Sequence, residues 1–203
     1  MIEIKHLGKS YKEKRVYEDF NITLKKQAIS VLMGPSGSGK TTLLRILAGL
    51  EPYECGQILG LTHKKAAFVF QEDRLMPWLT VRENIEYVLE DTMPERIKKE
   101  KVDQMIEKMQ LTSVADEFVP SLSGGMKRRV ALGRAFAYEG DLMLLDEPFK
   151  GLDDCLKGDI IEVLLAYWHK QKPTIICVTH DLEEAKRLGS VIEIRKAGQY
   201  GNH

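Results

Sequence analysis

Gly34-Pro35-Ser36-Gly37-Ser38-Gly39-Lys40-Thr41 sets three glycines ahead of a lysine and a threonine, the pattern of a P-loop. Glycines let the backbone turn its N–H groups inward, and the following helix adds its partial positive end, so the segment forms an anion cradle. Lys40 is placed to reach the β- and γ-phosphates of a nucleotide, the Thr41 hydroxyl to ligate Mg²⁺, and Thr42 to touch the α-phosphate.

A second chemical element is Leu142-Met143-Leu144-Leu145-Asp146-Glu147, an apolar run ending in two acids. As the C-terminal edge of a parallel strand, it lies where such sheets bind ligands. Asp146 is expected to hold Mg²⁺ through its water shell, and Glu147 to polarise an attacking water as general base. A third is Leu122-Ser123-Gly124-Gly125-Met126, where a serine and two glycines open a helix and offer a second phosphate-binding helix end. Alone, Ser123 reads equally well as an ordinary N-cap.

These residues need strands and helices to position them. Ala28 to Met33 is a continuous apolar run before the glycine loop, as in a buried parallel strand, and Thr41 to Leu50 reads as a helix. Ile2 to Leu7 and Phe20 to Leu24 alternate like edge strands; Gln57 to Leu59 and Ala66 to Phe70 are further short strands. Helical periodicity then takes over in Val81 to Glu90, Glu95 to Leu111 and Gly124 to Tyr138, broken by Pro94 and Pro120. Sheet returns at Leu142 to Leu145, Thr174 to Val178 and Val191 to Arg195, with helices over Asp153 to Lys170 and Leu182 to Leu188 between them. The parallel core is thus split around a helical insert. Gly198 to His203 reads as a frayed end, with no length left for a regulatory domain.

Bulk properties narrow the field. The 203 residues, 43% hydrophobic, suffice for one core. Thirty Lys+Arg balance thirty Asp+Glu, so no overall field favours nucleic acid or an anionic membrane, and no nucleic-acid partner is expected. The three scattered cysteines, Cys55, Cys155 and Cys177, fit a reduced cytosolic compartment. Residues 1–15 lack the apolar core of a signal peptide, and the apolar runs fall short of the ~20 residues of a membrane span. Membrane attachment is therefore expected through a partner.

The order of the motifs carries more than any one of them: P-loop, a glutamine ending a strand, a serine-glycine helix start, an acidic pair, a histidine after a strand. From Tyr11 to His180 the set resembles the ATP-binding cassette (ABC) family. The resemblance implies an α/β fold, with a P-loop NTPase parallel-sheet core at 1–71 and 141–203, an N-terminal antiparallel β part, and an inserted α-helical subdomain at 72–140. It implies hydrolysis of ATP with Mg²⁺ between two cassettes facing head to tail, with Ser123 and Gly125 acting in trans. By the same resemblance Tyr11 stacks on adenine, Gln71 senses Mg²⁺ and links to a transmembrane partner, and His180 contacts the γ-phosphate. Asp153 matches the loop that crosses between the two sites. Lys150 and Gly151 stand where the family usually has serine and alanine, and Met126 where it usually has glutamine.

Gln71-Glu72-Asp73-Arg74-Leu75-Met76-Pro77-Trp78-Leu79-Thr80-Val81 resembles the corresponding segment of importers of nitrate, sulfonate and taurine type. The implied partners are transmembrane permease subunits, a solute-binding protein indirectly, and a second ATPase chain in a homodimer on the cytoplasmic face of the membrane. Trp78 is the candidate for docking the permease. A cassette ATPase unconnected with transport, and one of the lipoprotein-release or export type, are the alternatives.

Overall fold

The computed structural model describes residues 1–12, 14–61, 65–90 and 93–195; the stretch read as a frayed end lies outside them. A three-stranded antiparallel sheet is formed by β1 (Ile2–Tyr11), β2 (Lys14–Leu24) and β4 (Cys55–Leu59), in the order β2-β1-β4. A five-stranded parallel sheet is formed by β3 (Ile29–Met33), β5 (Ala66–Val69), β6 (Leu142–Asp146), β7 (Thr174–Val178) and β8 (Ser190–Glu193), in the order β5-β6-β7-β3-β8. The helices are α1 (Lys40–Leu47), α2 (Val81–Glu86), α3 (Glu95–Lys108), α4 (Gly124–Tyr138), α5 (Asp154–Gln171) and α6 (Leu182–Leu188).

Every residue of β6 and β7 is buried, as expected of parallel strands covered on both faces. The alternation of side chains along β6 divides them between two apolar clusters. Leu142 and Leu144 join Leu43, Leu44 and Leu47 of α1 and Ile4 and Leu7 of β1. Met143 and Leu145 join Ile85 of α2, Met105 of α3, Phe136 of α4 and Ile160 of α5. The helical insert therefore packs on the same strand that ends in the acidic pair.

Local chemistry sets most helix ends. A Schellman motif closes α1: Gly49, at φ 70°, donates to the Ile46 carbonyl at 3.0 Å, and Leu50 donates to that of Arg45 at 2.9 Å. This is why the helix stops short of the expected Leu50. Thr80 and Glu83 form a capping box at the start of α2. That helix ends at Glu86 rather than Glu90, because Leu89 bonds three residues back, to Glu86, instead of four.

The expectation that Ile2–Leu7 is an edge strand is corrected. β1 pairs with β2 on one side and β4 on the other, so its alternation reflects one face on the core rather than a free edge. Cys55, Cys155 and Cys177 are all free thiols, the last buried. No helix among the described residues is long and apolar enough to cross a membrane.

Candidate active site

The loop between β3 and α1 forms the floor of a cleft of about 380 Å³. Gly34 sits at φ 146°, and an added Cβ would lie 2.1 Å from the Ile194 carbonyl oxygen. Gly39, the residue before α1, sits at φ 97°, where a Cβ would meet the Tyr17 ring at 2.7 Å and Val16 at 2.8 Å. Both positions thus exclude a side chain twice, by conformation and by space. Tyr17 holds the turn from β2, its hydroxyl donating to the Gly39 carbonyl at 2.8 Å.

Lys40 is buried, and its ammonium donates to the carbonyls of Gly34 at 2.8 Å and Pro35 at 3.0 Å, with the Ser38 hydroxyl at 3.4 Å. Burial pushes this lysine below its usual pKa range, against the pull of the Glu147 and Asp146 carboxylates. It is a cation under desolvation, which favours an incoming anion. Gly34, Pro35 and Ser38 thus lie behind the cleft, shaping the loop and holding Lys40, while Ser36, Gly37, Gly39, Lys40, Thr41 and Thr42 line it.

At the end of β6, Asp146 is 2% exposed and Glu147 leaves the sheet at φ 49°, its N–H donating to the Val178 carbonyl at 2.9 Å. A left-handed non-glycine backbone costs on the order of 1 kcal/mol and turns the Glu147 side chain toward the cleft. Burial raises the Asp146 carboxyl, opposed by a hydrogen bond from Thr41. Glu147 Oε1 lies 3.0 Å from Nε2 of His180, which follows β7. Its Oε2 lies 3.1 Å from Nζ of Lys150.

The remaining expected residues fall in two places. Tyr11, at the end of β1, lines the cleft at 40% exposure, with the Lys9 ammonium 4.6 Å from its ring centroid. Gln71, past the end of β5, lines it as well. Ser123 and Gly125 do not. Ser123 caps α4, accepting from the Met126 N–H at 3.3 Å, and Gly125 faces the loop before α5, where an added Cβ would lie 3.4 Å from the Gly151 carbonyl oxygen.

A model of the ABC transporter family matches residues 17–150, and that span contains the loop, Gln71, Ser123 and the acidic pair described above. The chain belongs to the ABC transporter family. The chain is 40% identical over 199 residues to the aliphatic sulfonates import ATP-binding protein SsuB of Bacillus cereus, covering 95% of this chain and 78% of that protein. It is 36% identical to the taurine import ATP-binding protein TauB of Escherichia coli, over 98% of this chain and 80% of that protein. Among solved structures it is similar to a dimeric ATP-binding cassette in a post-hydrolysis state bound to ADP and Pi, with a TM-score of 0.87, 27% identity and 97% of each chain covered. The chain is therefore an ATP-binding cassette ATPase.

One residue escaped the reading of the ABC motifs. Arg128 of α4 is 5% exposed and donates to the carbonyls of Phe70, at 2.7 Å, and Gln71, while pairing with Asp73 at 3.2 Å. In the run Lys127-Arg128-Arg129 nothing marks the middle cation as the buried one. Lys14 and Val16 of the cleft wall were likewise unmarked.

Proposed function

We propose that this chain is the ATPase subunit of an importer of small oxyanions of the sulfonate and taurine class, acting as a homodimer bound through permease subunits to the cytoplasmic face of the membrane. The relatives named for aliphatic sulfonates and taurine, and a third named for sulfate/thiosulfate in Chlorella vulgaris at 37% identity, support the substrate class. The described residues within 1–71 and 141–195 make up the nucleotide-binding core of one ATPase domain, and those within 72–140 its helical subdomain.

Asp146 and Thr41 both line the cleft and offer a carboxylate and a hydroxyl, hard oxygen donors of the kind Mg²⁺ takes alongside phosphate oxygens. Among the described residues no group of three or more His, Cys, Asp or Glu could hold a metal by itself, which fits a cation that arrives with its nucleotide. Asp146 and Thr41 would hold Mg²⁺ there, and the ion would supply positive charge to offset that of the phosphates. Gln71 contributes its amide from the cleft lining.

Lys40 and the backbone N–H groups of the loop hold the phosphates, and Tyr11 stacks on the adenine. Glu147 orients a water and accepts its proton, and His180 both fixes that carboxylate and donates to the γ-phosphate. The observation that carries this reading is the 3.0 Å contact between Glu147 and His180 over a P-loop. Ser123 and Gly125 do not line their own cleft, and by the family resemblance they serve the cleft of a second copy.

A mixing experiment tests this directly. Ser123→Ala and Glu147→Gln chains, each inactive alone, should regain hydrolysis when combined, since one composite site of the mixed dimer is then intact. Absence of recovery, with dimers formed, refutes the action in trans.

A further inference from the structure

Glu147 is gripped on both carboxylate oxygens by different segments. His180 comes from the end of β7, and Lys150 from the loop that leads into α5, with contacts of 3.0 and 3.1 Å. The backbone beneath is tied down by the Glu147 N–H to Val178 bond and closed into a turn by the Lys150 N–H, which donates to the Glu147 carbonyl at 3.3 Å. Only the carboxylate is free to swing, and its two partners decide where it points.

The two partners differ in what they are attached to. His180 is a wall of the cleft. Lys150 is 61% exposed along its side chain and sits next to Gly151, whose carbonyl oxygen lies against Gly125 at the start of α4. Gly151 sits at φ 81°, with no atom within 4 Å of an added Cβ, so its Cβ side is open. The base is thus tethered to the loop that touches the helix carrying Ser123.

We propose that Lys150 is a positioning residue for Glu147, a clasp in cis that turns the carboxylate away from the attacking water until closure of two cassettes displaces the loop. This rests on Glu147 being the general base. An accepting oxygen must be aimed at the water for proton transfer, and the ammonium competes for one of only two. Because the Lys150 side chain is 61% exposed, although Glu147 is only 18% exposed, the hold is weakened by solvent and screened by salt.

The test is the basal hydrolysis of the purified chain by Lys150→Ala, Lys150→Arg and Glu147→Gln variants, with ATP affinity measured separately in EDTA. Lys150→Ala should raise kcat by about two- to five-fold with KM and ATP affinity unchanged, and Lys150→Arg should stay near wild type. Raised salt should speed the wild-type protein but not Lys150→Ala. A kcat that falls or stays the same in Lys150→Ala, or an affinity that changes with it, overturns the clasp. Full activity in Glu147→Gln overturns the general-base reading itself, and the clasp with it.

Discussion

The Arg128 guanidinium donates to the main-chain carbonyl of Gln71, a residue 57 positions earlier in the chain. Arg134, lower on the same helix, reaches the Arg74 carbonyl at 3.0 Å. The segment carrying Gln71 is therefore fastened to α4, the helix that Ser123 caps.

Removing that fastening should be costly. Arg128→Met would leave the Phe70 and Gln71 carbonyls unsatisfied and strip Asp73 of its cation, although burial already raises the Asp73 carboxyl against Arg128. We expect a loss of about 2–4 kcal/mol, read as a drop of several degrees in Tm. Arg128→Lys should recover little of that loss, because a single ammonium cannot reach two carbonyls and a carboxylate in the fork geometry of arginine. An unshifted Tm in Arg128→Met would show the contacts to be dispensable.

Gly39→Ala should fail in two measurements at once. The backbone at φ 97° and the Tyr17 ring 2.7 Å from the new Cβ both resist it, at an expected cost of about 1–3 kcal/mol. The loop that results should also bind ATP more weakly than wild type, as titration with a fluorescent nucleotide would reveal.

Tyr11→Ala should raise KM for ATP by roughly ten-fold, the order expected for losing one base–aromatic stack, with a smaller effect on kcat. Tyr11→Trp should retain affinity. Equal losses in both variants would argue that the ring acts through β1 rather than through the base.

Asp181 offers a pH-dependent test. Its carboxylate accepts from the Glu183 and Glu184 N–H groups at 2.8 and 3.3 Å. The Glu184 N–H is the chief cause of its lowered pKa, against burial, with the Glu183 N–H and Lys157 adding to it. A carboxylate depressed on folding adds stability above its unfolded pKa and loses it as pH falls through that value toward the folded one. Asp181→Ala should cost about 1 kcal/mol at neutral pH, and its deficit against wild type should shrink as pH drops below about 4.

Trp78 is 71% exposed, so the structure disfavours a core role for it. Trp78→Ala should leave unfolding within about 0.5 kcal/mol of wild type and hydrolysis by the isolated chain intact. Transport by the reconstituted importer should fall. Unimpaired transport would end its candidacy for docking.

What the sequence alone determined was local. The P-loop, the cap at Ser123 and the fully buried strands β6 and β7 are set by neighbours within a few positions, so residue type and spacing suffice to read them. The ABC resemblance followed from the order of such segments. Tertiary structure decided the rest. β1 became the middle of its sheet because β4, more than 40 residues on, supplies a second partner. Arg128 became a buried clamp while its neighbours in the same basic run stayed less enclosed, and Glu147 was caught between His180 and Lys150. Each of those outcomes depends on which segments packing brings together across the chain, and a charge pattern along one helix or loop carries no record of what will lie opposite it.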